Sequence, residues 1–82
     1  MELRKKILEM ISGHVDIAFD ISQVKDDDSL EQLGVNSINF IRVIIELEMT
    51  YNIQFDVDYL GTEVFENIGV FVEYVNDLVY RE

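Results

Sequence analysis

Few residues in this chain have both the type and the spacing to do chemistry, and Ser37 is the best placed. In Leu33-Gly34-Val35-Asn36-Ser37-Ile38, a glycine, a polar residue with a good capping side chain and a serine stand just ahead of the longest amphipathic run, Ile38 to Tyr51. That order puts one hydroxyl at the N-terminal mouth of a helix. On local chemistry alone, Ser37 reads first as a helix cap, or as the residue that follows an Asn36 cap. A serine nucleophile also needs a base and an orienting acid. The only histidine, His14, falls in the first connection with no triad pattern around it. Cysteine is absent, so the chain has no thiolate nucleophile, no zinc–thiolate site and no disulfide framework.

Metal chemistry is no better supplied. Asp56-Val57-Asp58-Tyr59-Leu60-Gly61 sets acids and a glycine at the first, third and sixth positions of a calcium loop, but Leu60 and Asn67 occupy the fifth and twelfth, so two ligands are missing. Asp26-Asp27-Asp28 reads as a solvated turn. No metal site is expected.

Three helical segments must position Ser37. Leu3, Ile7, Met10 and Ile11 recur at helical spacing from about residue 2, with Ser12-Gly13 as a stop. Arg4-Lys5-Lys6 reads as the solvated face of this helix. Val15, Ile17, Phe19 and Ile21 then alternate as a strand would, yet no second segment alternates convincingly to pair with them. Residues 14 to 35 are therefore read as a long ordered loop, anchored near its end by Leu30 and Leu33. The second helix runs from Asn36 or Ser37 to about Tyr51. A short helical turn is expected around Asp58 to Gly61. Asn67 is the expected cap of a last helix, with Ile68, Phe71, Val72, Val75 and Val79 on its inner stripe.

The second helix is apolar on two sides. Phe40, Val43, Ile44, Leu47 and Tyr51 form one stripe, and Ile38, Ile41, Ile45 and Met49 form another nearly opposite, flanked by Arg42, Glu46 and Glu48. A core built from 82 residues covers one such face fully. The other is either covered by the long loop or left for a partner, and methionine on an exposed stripe adapts to several partners.

Composition narrows the function classes. The chain makes one domain, residues 1–82, with no repeat or linker and 49% apolar residues. Seventeen acidic against six basic residues give a net charge of −11, which repels nucleic acid and anionic membrane surfaces and attracts basic protein surfaces. Neither a signal-peptide pattern nor a run of transmembrane length is present, so a cytoplasmic protein is expected.

With these residues in place, the chain resembles the acyl and peptidyl carrier protein family over nearly its whole length. The family signature is a Leu-Gly-hydrophobic-Asp-Ser-Leu or -Ile loop opening the second helix, and it stands here as Leu33-Gly34-Val35-Asn36-Ser37-Ile38. Asp28-Ser29-Leu30-Glu31-Gln32 matches the approach to that loop, and Phe65-Glu66-Asn67-Ile68 with Glu73-Tyr74-Val75 matches the approach to the last helix. The resemblance implies an all-α four-helix bundle, three main helices plus one short, with a long first loop. It also implies a non-enzymatic monomer whose Ser37, preceded by Asn36, bears a covalent 4'-phosphopantetheine arm. A phosphopantetheinyl transferase would move the group from coenzyme A, supplying magnesium and the base. The arm would bring the thiol that the chain lacks, and acyl or aminoacyl groups would ride on it as thioesters.

Partner-binding residues carried over by analogy are Ile38, Ile41, Ile45 and Glu48. Arg42 and Met49 stand on the same helix where many fatty-acid carriers have acids. Asn36 replaces the usual Asp, keeping a capping group but losing a charge near the transferase's metal. The weaker acid pattern and the Ser37-Ile38 pair point to a free-standing carrier of nonribosomal peptide or polyketide-type biosynthesis, served by adenylating or acylating enzymes and by condensing or tailoring enzymes. The alternatives are a fatty-acid-synthesis carrier, or an acidic helical adaptor or inhibitor that uses the same face with no covalent group.

Overall fold

The computed structural model describes residues 2–81. Three α-helices, α1 (Glu2–His14), α2 (Ser37–Tyr51) and α3 (Ile68–Val79), are joined by segments shaped by four 3₁₀ turns, and no strand occurs among the described residues. α1 buries Leu3, Ile7, Leu8 and Ile11, a single stripe at helical spacing. It runs through Ser12-Gly13 to His14, and the Val15 N–H continues the ladder to the Ile11 carbonyl at 3.2 Å. α2 buries Phe40, Val43, Ile44 and Leu47, and α3 buries Ile68, Phe71, Val72 and Val75. With no proline to stop α2, Asn52 ends it by entering the left-handed region (φ 54°, ψ 49°), which asparagine tolerates better than most residues.

The first connection is the loop expected from its lack of a strand partner. Val15, Phe19 and Ile21 pack against the core as half-buried residues. Turns at Ile21–Gln23 and Glu31–Leu33 give the segment its own structure. The Ser22 hydroxyl and, next, its backbone N–H donate to the Asp20 carboxylate and hold that carboxyl below its ordinary value.

Arg4 is not simply solvated. Its guanidinium donates to Asp26 at 2.9 Å and to the Val24 carbonyl at 2.8 Å, tying α1 to the acidic part of the loop, whereas Lys5 and Lys6 are exposed. The same stretch caps α3. The N–H groups of Ile68 and Gly69 donate to the carbonyls of Asp28 and Asp26, both at 2.8 Å, and Asn67 Oδ1 accepts from the Val70 N–H. A β-carbon at Gly69 would sit 3.0 Å from Asp26 Cβ and 3.2 Å from its carbonyl oxygen, so the approach depends on the missing side chain.

Where the short helix is expected, there are two 3₁₀ turns, Val57–Tyr59 and Thr62–Val64. Gly61 is extended (φ −109°, ψ 147°) between them and prevents one continuous helix from forming. The Asp56 carboxylate accepts from the Asp58 N–H at 2.9 Å, so this acid caps a turn. Among the described residues, no group of three or more His, Asp or Glu is set to hold a metal ion.

The centre of the core is aromatic. Phe71 lies 5.4 Å from Phe40 and 5.0 Å from Phe65 between ring centroids, so one α3 side chain joins α2 to the segment before α3. Tyr74 extends the cluster by stacking on Tyr59 at 4.7 Å, and its hydroxyl accepts from the Asp56 N–H at 3.2 Å. Phe71→Ala is expected to cost about 3–5 kcal/mol, a large share of the roughly 5–15 kcal/mol typical of a natural domain. Urea unfolding followed by circular dichroism checks this.

Candidate functional site

The mouth of α2 is built from the turn that leads into it. Ser29 and Gln32 brace the turn reciprocally, with Gln32 Oε1 accepting from the Ser29 N–H and Ser29 Oγ accepting from the Gln32 N–H. Leu33 and Val35 are buried on either side of Gly34 and anchor the backbone. Gly34 adopts φ 89°, ψ 9°, and a β-carbon there would lie 2.7 Å from Ile17 Cγ1 in the first connection. Only glycine meets both the left-handed backbone and the crossing chain.

Asn36 is the cap. Extended at φ −129°, ψ 178°, it accepts at Oδ1 from the N–H groups of Ile38 (3.0 Å) and Asn39 (2.9 Å). Asn39 replies: its Oδ1 accepts from the Asn36 N–H at 2.8 Å, and its Nδ2 donates to the Gly34 carbonyl at 3.0 Å. This is a capping box with asparagine at both ends. Asn39 is the buried polar side chain of the site, and the sequence reading missed it. The signal was a capping residue followed three places later by an amide, obscured because Glu or Gln ordinarily fills that place.

The choice posed by the sequence, cap or chemistry, is thereby decided against the cap. Ser37 is exposed in the first turn, and among the described residues neither its hydroxyl nor its backbone N–H has a hydrogen-bond partner. A free hydroxyl and a free N–H at the positive end of a helix suit a phosphodiester on that oxygen.

The second apolar stripe of α2 stays uncovered. Ile38 is 69% exposed, Ile41 40%, Ile45 49% and Met49 80%, so the loop does not bury this face. Ser37 heads the row Ile41, Ile44, Glu48 at helical spacing. Below Ser37, the residues Ile41, Ile44 and Glu48 line an open groove of about 1020 Å³ together with Val57, Tyr59 and Leu60. The latter three extend the exposed apolar surface beyond α2, a role the irregular sequence of residues 52–66 did not signal.

The charged residues on this helix have separate positions. Glu48 is half-buried and its Oε2 accepts from the Phe55 N–H at 2.9 Å, holding the chain as it turns back after α2. Glu46 meets His14, the last residue of α1, with Nε2 to Oε1 at 2.7 Å, a contact in which Nε2 carries the proton. The histidine therefore braces α1 against α2 two to three turns beyond Ser37. Arg42 is exposed beside Ile38 and Ile45.

A family model described as a phosphopantetheine attachment site matches residues 5–75, which take in the whole α2 mouth. No curated protein and no solved structure matches the chain in the corresponding comparisons.

Substitutions at the mouth separate its parts. Asn36→Asp retains the accepting oxygen and is expected to be nearly neutral for folding. Asn39→Asp loses the donor to the Gly34 carbonyl and places a carboxylate against it, at a cost of about 1–3 kcal/mol. Gly34→Ala is expected to cost about 2 kcal/mol from the left-handed backbone and the contact with Ile17. Urea midpoints at constant m-value measure all three.

Proposed function

The chain belongs to the phosphopantetheine-attachment family, and on that premise we propose that Ser37 is the residue to which its 4'-phosphopantetheine is joined. Domains of this family are carriers rather than catalysts. The observation that carries the assignment is the division of labour at the helix mouth: Asn36 and Asn39 satisfy the backbone, so the Ser37 hydroxyl is left exposed and unengaged. In the transfer, Ser37 Oγ would form a bond to phosphorus, the pyrophosphate bond of coenzyme A would break to release adenosine 3',5'-bisphosphate, and the hydroxyl proton would pass to a base on the transferase. The serine needs no triad of its own. The group supplies a thiol for thioester chemistry to a chain that has no cysteine.

Ile38, Ile41, Ile45 and Met49 form the surface on which successive enzymes dock, with Glu48 at the groove edge and acids such as Asp58 and Glu63 steering them. The Ser37-Ile38 pair, with Arg42 and Met49 where fatty-acid carriers often have acids, supports a free-standing carrier in nonribosomal peptide or polyketide-type biosynthesis. Its partners there are a phosphopantetheinyl transferase, a loading enzyme that adenylates or acylates, and condensing or tailoring enzymes. The protein acts as a cytoplasmic monomer.

Incubation with coenzyme A, magnesium and a broad-specificity transferase is expected to add the mass of one phosphopantetheinyl group, and Ser37→Ala is expected to add none. An adaptor using the same face predicts no mass shift. No gain with several transferases, or an undiminished gain in Ser37→Ala, overturns the assignment.

A further inference from the structure

The exposed face of α2 carries a cation, Arg42, that makes no ion pair among the described residues. We propose that Arg42 selects partner enzymes that present a carboxylate within an otherwise apolar contact surface. The inference rests on the reading of Ser37 as the arm-bearing residue and adds to it the chemistry of the enzyme that reaches that serine.

On a chain with seventeen acids and a net charge of −11, a surface arginine has many possible counter-charges, and Arg4 finds one in Asp26. Arg42 makes no ion pair or side-chain hydrogen bond among the described residues, and the helix itself shows why. The acid one turn on, at i+4, is Glu46, the position that ordinarily answers a helical arginine. Its Oε1 is instead engaged across the interhelical gap by His14, at 2.7 Å, and it makes no pair with Arg42. At i−3, Asn39 is consumed by the cap. The remaining neighbours along the face, Ile38 at i−4, Ile45 at i+3 and Met49 at i+7, are exposed and apolar. Arg42 borders a shallow depression of about 430 Å³ lined also by His14, Ile45, Met49, Thr50 and Glu46, the last turned to His14.

Position makes the charge consequential. Arg42 lies five residues beyond Ser37, about 7.5 Å along the helix axis, so an enzyme that rests on Ile38 and Ile45 while reaching Ser37 covers the guanidinium. A covered guanidinium without a counter-charge loses hydration and gains nothing in return. A carboxylate restores the balance, and the planar fork of arginine favours that geometry. A basic docking surface, otherwise suited to an acidic carrier, is repelled at this point. His14 acts as a positioning residue: by holding Glu46 it keeps Arg42 available.

The test uses two phosphopantetheinyl transferases, one with an acidic group on its carrier-docking surface and one with a basic surface. Ser37→Ala, which cannot be modified, is titrated against each by calorimetry. The same titrations are made with Arg42→Ala, Arg42→Lys, Arg42→Glu and His14→Ala added to it, each checked for native circular dichroism. Relative to the parent, Arg42→Glu is expected to weaken binding to the acid-bearing enzyme about tenfold and to tighten binding to the basic one, shifting the preference between them. Arg42→Lys keeps most of the preference. His14→Ala falls to the level of Arg42→Ala, because the released Glu46 then competes for Arg42. If Arg42→Glu binds both enzymes as the parent does, or the acid-bearing one more tightly, the role of Arg42 is overturned, and an unchanged His14→Ala overturns the role of His14. Wild-type protein incubated with coenzyme A in parallel keeps the two readings apart, since the mass gain tests Ser37 and the affinities test Arg42.

Discussion

The mouth of α2 depends on a reciprocal pair of side-chain amides. A helix begins with backbone N–H groups that have no partner within it, and each is costly to bury unsatisfied. Asn36 takes two of them, Asn39 returns a bond to the Asn36 N–H, and the second function of the Asn39 amide fastens the Gly34 carbonyl. Only a side chain that both accepts and donates can make the last two bonds at once. With asparagine at both ends, the box works without charge. The serine between them is therefore not recruited as a cap, and its hydroxyl stays at the surface where an enzyme can reach it.

That mouth is held in place by the first connection, which touches every helix. Arg4 on α1 grips Asp26 and Val24, while the Asp26 and Asp28 carbonyls cap α3. Ile17 lies across Gly34 so closely that no side chain fits there. A segment with little regular secondary structure thus fixes the relative placement of the helices. Its backbone polar groups are partly satisfied by turns and by the ends of other elements, as ordered loops require. The aromatic cluster around Phe71 fills the space enclosed by that frame.

The outer face of α2 has the opposite logic. Exposed isoleucines and a methionine add little to folding, since they remain in water. Burying them against a partner surface would be favourable. Charge around this face is placed rather than spread evenly, with Glu48 bound to Phe55, Glu46 bound to His14 and Arg42 left open. The net negative charge acts at long range, whereas at short range only the groups not already engaged are open to a partner.

Much of the site could be read from the sequence because its signals are local. Helical periodicity separated the two stripes of α2, Asn67 marked the start of α3, and the Leu33–Ile38 loop carried the family pattern, all within a few residues of backbone. The strand-like alternation of Val15 to Ile21 was rightly set aside, because a strand needs a partner that the chain does not offer. What the sequence alone left undecided were relations between distant residues. Whether Ser37 or Asn36 capped the helix turned on an amide three residues away, whose orientation is fixed by burial. Whether the second stripe was covered turned on the path of the loop. The partners of His14 and Glu48 lie across gaps that no spacing rule spans, and the short helix expected near Asp58 gave way to two turns at an extended Gly61. The hydroxyl and its helix were determined by the sequence. Its freedom, and the charges that surround it, were decided by tertiary structure, because hydrogen-bond partners are allotted only when separate elements meet.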